Sequence, residues 1–440
     1  MLHAPPLGAL LRRYAAGTAL ACEPVDEGLL NRGYRLRTTR GRYFLKHHFD
    51  PETADPVSIA RQHRATERLA ALGVPVAPPL SCHDGRTVAV VGGHAYALHP
   101  WIDGRHRHGA QLTPGQCGRL GALLGVVHAS LEQVMRAQGE RPPPGRTDRP
   151  SPARGERVPQ ERAHDAGRRD GRGRGDGAPP AREPERRNTA SERSERLARP
   201  ATTGLPEQRA RGQALKGPTP PAEHATSGER ATGAGCVPPG GTAAPGVSAA
   251  PVTSPDPADT FVLIDDLLAR VRRHRPADSF DELARHRLLE RRTLLERHAD
   301  RRPPHSGRVG WVHGDFHPFN LLYRGDAPAA IVDWDRLGVQ PRAEEAVRAA
   351  AIFFVRPDGT LDLPKARKYA RAYRRAAGAT PCELGAAVHR VWWERLNDFW
   401  MLRWHYERGD TRADSQFPAA SALAVWWTRE YDAVCDAFAD

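Results

Sequence analysis

Tyr34-Arg35-Leu36-Arg37 and Arg42-Tyr43-Phe44-Leu45 alternate in the way half-buried strands do. With turns at Gly28–Gly33 and Thr39-Arg40-Gly41, residues 22–46 are expected to form three short strands. A helix is expected from about Pro56 to Leu72, followed by strands Thr87–Val91 and His94–Leu98. Leu120 to His128 carries a helical apolar stripe, and Phe261 to Leu268 opens another helix. After that the pattern is mainly helical, interrupted by two short apolar strands, Val309-Gly310-Trp311-Val312 and Ala330-Ile331-Val332. The expected class is therefore α+β and bilobal: a small β-rich lobe, a larger helical lobe and a cleft between them.

Residues 136–258 break the pattern. They contain no aromatic residue, no Ile and no Met, among dense Pro, Gly, Arg, Ser and Ala. So few apolar groups cannot offset the entropy of ordering, and the segment reads as a disordered insertion joining two helices. The expected organisation is residues 1–100 as the first lobe, 101–135 as hinge and first helix of the second, 136–258 as insertion, and 259–440 as the rest of the second lobe.

Composition trims the options. The net charge of +13 suggests a polyanion partner, but 21 Lys and Arg against 15 Asp and Glu in the insertion place six of those charges there. The basic residues are nearly all Arg, a bias of composition rather than of phosphate recognition, so no specific nucleic acid is expected. Apolar runs fall well short of a membrane span, no cleavage signal follows Leu7 to Leu11, and the six Cys lack any C-x-x-C pair. These features predict a cytoplasmic chain without a membrane span, and the cysteine spacing supports neither a disulfide framework nor a zinc site.

The chemistry concentrates at His313-Gly314-Asp315-Phe316-His317-Pro318-Phe319-Asn320 and Ile331-Val332-Asp333-Trp334-Asp335. An Asp-x4-Asn pair is ordinary in loops, and Asp333 alone could cap a helix. Order, spacing and flanking strands together bring Asp315, Asn320 and Asp333 to one mouth. Hard oxygen ligands there suit Mg2+ beside substrate phosphates, as in H-x-D-x4-N followed by a metal-binding Asp. Lys46 ends the third strand and is the sole Lys in the first 215 residues. A compact ammonium at that place reaches phosphates, although a surface strand-end lysine looks the same in sequence. Gly28 and Gly33 would let the intervening turn approach phosphates through backbone amides.

Taken together, Gly28-x-x-Asn31, Tyr43 to Lys46, Gly73 to Val76, Tyr96 to Gly104, His313 to Asn320 and Val332-Asp333-Trp334 resemble the aminoglycoside phosphotransferase/choline kinase family. The resemblance covers residues 20–133 and 259–350 and implies a protein-kinase-like fold that phosphorylates small molecules with ATP and Mg2+. It implies Asp315 as catalytic base, Asn320 and Asp333 as metal ligands, and Lys46 on the α- and β-phosphates. Gly28 and Asn31 would lie at the nucleotide, and the backbone from Leu98 to Trp101 would meet the adenine. Two positions depart from the family pattern. Gln62 stands where a Glu usually pairs the lysine, with Glu67 about 140° away around the helix; Glu344 is the expected stand-in for a structural Asp after Trp334. A nucleotide-binding module without turnover is the alternative that Gln62 leaves open.

Residues 389–431 are rich in aromatics at near-helical spacing, which core packing explains by default. The sharper reading makes Trp393, Glu394, Asp398 and Asp335 line a pocket for a cationic or sugar-like small-molecule acceptor.

Overall fold

Strands β1 (Ala19–Val25), β2 (Arg32–Thr38), β3 (Gly41–His48), β4 (Ala89–Val91) and β5 (His94–Pro100) form one antiparallel sheet in the order β1-β2-β3-β5-β4. The computed structural model describes residues 5–25, 31–49, 54–137, 139, 254–304 and 307–440. Gly28 and nearly all of the 136–258 insertion lie outside them. In the register of the sheet Lys46 stands opposite Gly33 on one side and Ala97 on the other, in the middle rather than at an edge. One face buries Leu36, Leu45, Tyr96 and Leu98 under Leu10 and Leu11 of helix α1 (Leu7–Arg13). Helix α2 (Pro56–Ala71) packs Ile59 against Val88 and Ala95. Asp55 caps that helix by accepting from Val57 and Ser58 N–H, and Pro56 fits its first turn.

The second lobe is built on α3 (Pro114–Ala137), α4 (Pro257–Arg273), α5 (Ser279–Arg297), α6 (Arg342–Phe354), α7 (Leu363–Ala377), α8 (Pro381–Asn397), α9 (Trp400–Arg403), α10 (Phe417–Arg429) and α11 (Tyr431–Ala439). Its core holds Trp392, Trp393, Trp427, Tyr369 and Phe354. Helices α3 and α7 meet through glycine: a Cβ on Gly121 would stand 2.1 Å from Tyr369 O. Gly121→Ala is therefore expected to destabilise the protein by about 1–3 kcal/mol through overpacking, read as a lower urea midpoint.

Two small hairpin-like pairs carry the loops of interest. Strand β6 (Val309–Val312) pairs antiparallel with β9 (Gly338–Pro341), and β7 (Leu321–Arg324) with β8 (Ala327–Ile331). The lobes are stitched beside them, where Ile331 N–H donates to Pro75 O at 2.7 Å and Arg105 exchanges backbone hydrogen bonds with Tyr323.

The mixed α+β class stands, with sheet first and helices after. The expected helix 56–72 ends one residue early, with Leu72 as its cap. The strand expected at Ala330–Val332 begins at Ala327 and ends at Ile331, and β5 runs on to Pro100. Helices α3 and α4 extend two residues into each side of the predicted insertion. Among the described residues no helix is long and apolar enough to cross a membrane, and five cysteines are free.

Candidate active site

The loop after β6 is held from three sides. Gly314 adopts φ +83°, and a Cβ there would lie 2.2 Å from Arg336 O, so no other residue fits. His313 is fully buried; its Nδ1 accepts from Asp315 N–H at 3.2 Å, which leaves Nε2 to donate to Val332 O at 3.1 Å. Burial holds this imidazole below its usual pKa, so it stays neutral as the two bonds require. Gly314 N–H donates to Glu345 on α6, whose other oxygen lies 2.6 Å from His128 Nε2. His128 Nδ1 in turn meets Tyr373 OH at 3.0 Å.

This overturns one expectation. Glu345, not Glu344, anchors the loop; Glu344 pairs with Arg390 at 2.8 Å and Arg348 at 3.6 Å. Glu345→Ala would strand a buried His and a loop N–H, and is expected to cost about 3–5 kcal/mol. Glu344→Ala should leave the loop intact, so urea midpoint and turnover measured together on both variants separate the two roles.

Asn320 donates from Nδ2 to Asp315 O at 2.9 Å, with His317 Nε2 3.1 Å away, leaving its Oδ1 for a ligand. Asp315 is 8 % exposed and its Oδ1 is enclosed without a hydrogen-bond partner, His317 Nε2 being 3.4 Å distant. A buried carboxylate oxygen left open in this way awaits a donor. Asp333 sits in the left-handed region at φ +60°, and its side chain is 45 % exposed. Such strain concentrates at functional positions.

Across from these loops comes Lys46. Its Nζ lies 2.7 Å from both Asp333 Oδ1 and Asp335 Oδ2. Burial alone would lower its pKa, but the two carboxylates outweigh that and hold it charged above its usual value. Burial would likewise raise Asp333, yet the ammonium keeps it well below the ordinary carboxylate range. Asp335 takes the opposite share, pushed up by its burial and by the neighbouring Asp333.

Asp335 was expected at the acceptor; it lies instead in the lysine's shell. Asn31 Nδ2 donates to its carboxylate and Asn31 Oδ1 accepts from Phe49 N–H at 3.0 Å. Gln62 Nε2 donates to Asp335 O at 2.9 Å. The carboxylate that α2 lacks is thus supplied to Lys46 from the other lobe, while Glu67 is solvent-exposed.

Leu98 and Trp101 require a second correction. Leu98 O already accepts from Leu80 N–H at 2.7 Å, and Trp101 N–H donates to Arg42 O at 3.1 Å. Strand alternation turns the Pro100 C=O and Ile102 N–H to the edge away from β3, where a planar base could meet them. Trp393, Glu394 and Asp398 belong to the helical scaffold. Trp393 is fully buried and donates from its indole to Pro255 O at 3.0 Å. Glu394 accepts from Arg348 Nε at 2.9 Å, and Asp398 accepts from Trp400 N–H at 3.1 Å while burial pushes its pKa up to about 6. Their hydrogen-bond partners here are Pro255, Arg348 and Trp400 rather than Asp315, Asn320 or Asp333. Helical spacing could not say which face of α8 packs inward.

Beneath Lys46 sit three imidazoles. Burial, then the neighbouring imidazoles and Lys46, holds His63 down at about 2 and His48 well below normal; burial lowers His99 to about 4. Because the folded pKa values lie below the unfolded value near 6.5, the unfolded state binds more protons between them. Their stabilisation is complete above about pH 6.5 and is lost as pH falls. Urea midpoints from pH 7.5 to 5 should drop, and His63→Gln should flatten that slope by up to about 1.4 kcal/mol per pH unit.

The sequence profile of the phosphotransferase enzyme family matches residues 21–215 and 245–379. The homoserine kinase of Bartonella tribocorum is 26% identical over 127 residues, 29% of this chain and 39% of that protein. That of Burkholderia ambifaria is 31% identical over 130 residues, 29% of this chain and 37% of that protein. The matched stretch therefore spans well under half the length of either relative. Among solved structures, an aminoglycoside phosphotransferase from Alicyclobacillus acidocaldarius aligns with TM-score 0.48 at 11% identity, over 100% of this chain and 95% of the other. A spectinomycin phosphotransferase in complex with ADP and spectinomycin aligns with TM-score 0.49 at 12% identity, over 96% and 98%. With the profile covering three-quarters of its length and the loop motifs inside the matched region, the chain belongs to the phosphotransferase enzyme family.

Proposed function

We propose that the chain transfers the γ-phosphate of ATP, with Mg2+, to a hydroxyl of a small molecule. The observation that carries this reading is the pairing of Lys46 with Asp333 across the two lobes, beside the open Oδ1 of Asp315. Asn320 Oδ1 and Asp333 would hold the metal, with Asp335 as an adjoining carboxylate. The metal, when bound, neutralises charge on the phosphates. Lys46 binds the phosphates, Asn31 steadies Asp335, and Pro100 and Ile102 offer the adenine their backbone groups. Asp315 orients the acceptor hydroxyl and takes its proton at Oδ1. Little covalent help is needed from the protein, since phosphoryl transfer runs on positioning and charge.

The acceptor class is an amino alcohol, aminoglycoside or sugar, and the relatives named homoserine kinase put a hydroxylated amino acid first in the panel. ADP release measured with each acceptor, with and without Mg2+, tests the proposal. It predicts acceptor- and Mg2+-dependent ADP; bound ATP with no acceptor-dependent release supports the module without turnover. That second reading has less to recommend it here, because Asp335 supplies the countercharge that Gln62 does not.

A further inference from the structure

A second cluster of ligand-type side chains lies in the helical lobe and takes no part in the phosphate chemistry. His274 caps the end of α4, Asp281 stands in the first turn of α5, and His405 belongs to a π turn at Trp404–Arg408. One ligand atom of each lies within 4.8 Å of the other two. The rings of His274 and His405 are 5.4 Å apart at their centroids and nearly perpendicular. Asp281 and His405 have only 6 % and 7 % of their side chains exposed, and His274 36 %.

Each imidazole already has one nitrogen on a carboxylate. His274 Nδ1 lies 3.0 Å from Asp281 Oδ2 and 3.1 Å from Oδ1; His405 Nδ1 lies 2.8 Å from Asp414 Oδ2. His405 Nε2 is thereby left to ligate, with Asp414 as the outer carboxylate that orients its ring, whereas between His274 Nδ1 and Asp281 an ion would take the place of the shared proton. Asp281 is itself held in place by Tyr406 OH at 2.7 Å and Asp278 N–H at 3.0 Å. Asp414 Oδ1 is enclosed without a hydrogen-bond partner. Phe280 stacks on His405 at 4.4 Å and shields one side. A π turn is a rare departure from helix geometry that recurs at functional sites, and here it turns consecutive residues, His405 and Tyr406, to the α4–α5 junction.

We propose that His274, Asp281 and His405 bind one divalent transition-metal ion, zinc being the ion that fits, and that it clamps the α4–α5 junction to the 404–414 segment. Two imidazoles and a carboxylate match zinc, whereas Mg2+ and Ca2+ take oxygen ligands. The site shares no residue with Asp315, Asn320 or Asp333, and its test does not depend on turnover.

The full chain, without a polyhistidine tag and stripped of metal, is titrated with Zn2+ against a chromophoric chelator in excess Mg2+. One equivalent should bind tightly and raise the melting temperature. His274→Gln, at a half-exposed position, should weaken zinc at least about tenfold and abolish the thermal shift, and Tyr406→Phe should weaken it less, through the outer shell. Co2+ in the wild type should give the visible bands of a four-coordinate ion, absent in His274→Gln. Zinc affinity and stoichiometry unchanged in both His274→Gln and His405→Asn would overturn the proposal and leave a hydrogen-bonded network only. Should His405→Asn not fold, an unchanged His274→Gln decides against it alone.

Discussion

Asp315→Asn is expected to lose about 10²–10⁴-fold in turnover while binding Mg2+ and ATP as the wild type does. The amide keeps the shape and can still meet the acceptor, but it cannot take the hydroxyl proton. Asp315 Oδ1 is enclosed with no donor of its own, so the substitution disturbs no existing hydrogen bond there. Stability should therefore change little, and the loss should fall on kcat rather than on the KM for ATP. Single-turnover rates with saturating ATP, beside ATP affinity by calorimetry, give both quantities. Equal losses in binding and turnover would move Asp315 from chemistry to scaffolding.

Lys46→Met is expected to show the second large effect, a fall of roughly 10²–10³-fold in kcat/KM for ATP, the size seen when one donor to developing charge is removed. Its cost to the free protein has a distinctive sign. Lys46 neutralises Asp333 and Asp335 at 2.7 Å each, and without it two carboxylates share one niche with no cation. Removing one partner from such a set destabilises by about 3–5 kcal/mol where the charges are buried, and less here because Asp333 is 45 % exposed. Mg2+ can replace the missing charge. Added Mg2+ should therefore raise the melting temperature of Lys46→Met more than that of the wild type. A smaller rise in the variant would show that the metal does not bind between those carboxylates.

Much of the loop geometry at the candidate site was legible because local spacing determines it. Asp315 and Asn320 lie on one loop, five residues apart, and the strand before it reads from Val309 to Val312 in any window. The sheet was legible for the same reason, since period-two patterns in residues 32–48 survive folding as β2 and β3. What escaped depends on three-dimensional neighbours. Nothing in Asp333-Trp334-Asp335 says that both carboxylates point to Lys46, 287 residues away from the first of them. Glu345 lost to Glu344 because helix phase, not composition, decides which of two adjacent glutamates meets Gly314 N–H. Leu98 and Trp101 differ in kind: Leu98 faces the same edge as Pro100 but its C=O is taken by Leu80 N–H, whereas Trp101 turns its N–H to Arg42 O on β3, which only the folded sheet reveals. The cluster of His274, Asp281 and His405 was invisible in sequence because 131 residues separate its two imidazoles and a π turn brings them together.

The measurement that bears most directly on the whole account is 31P NMR of wild-type chain, ATP, Mg2+ and the most active acceptor of the panel. The account predicts a phosphomonoester signal that grows mole for mole with ADP, only with Mg2+ present, and not with Asp315→Asn. Inorganic phosphate alone, or ATP that stays bound and intact beside every acceptor, would contradict it.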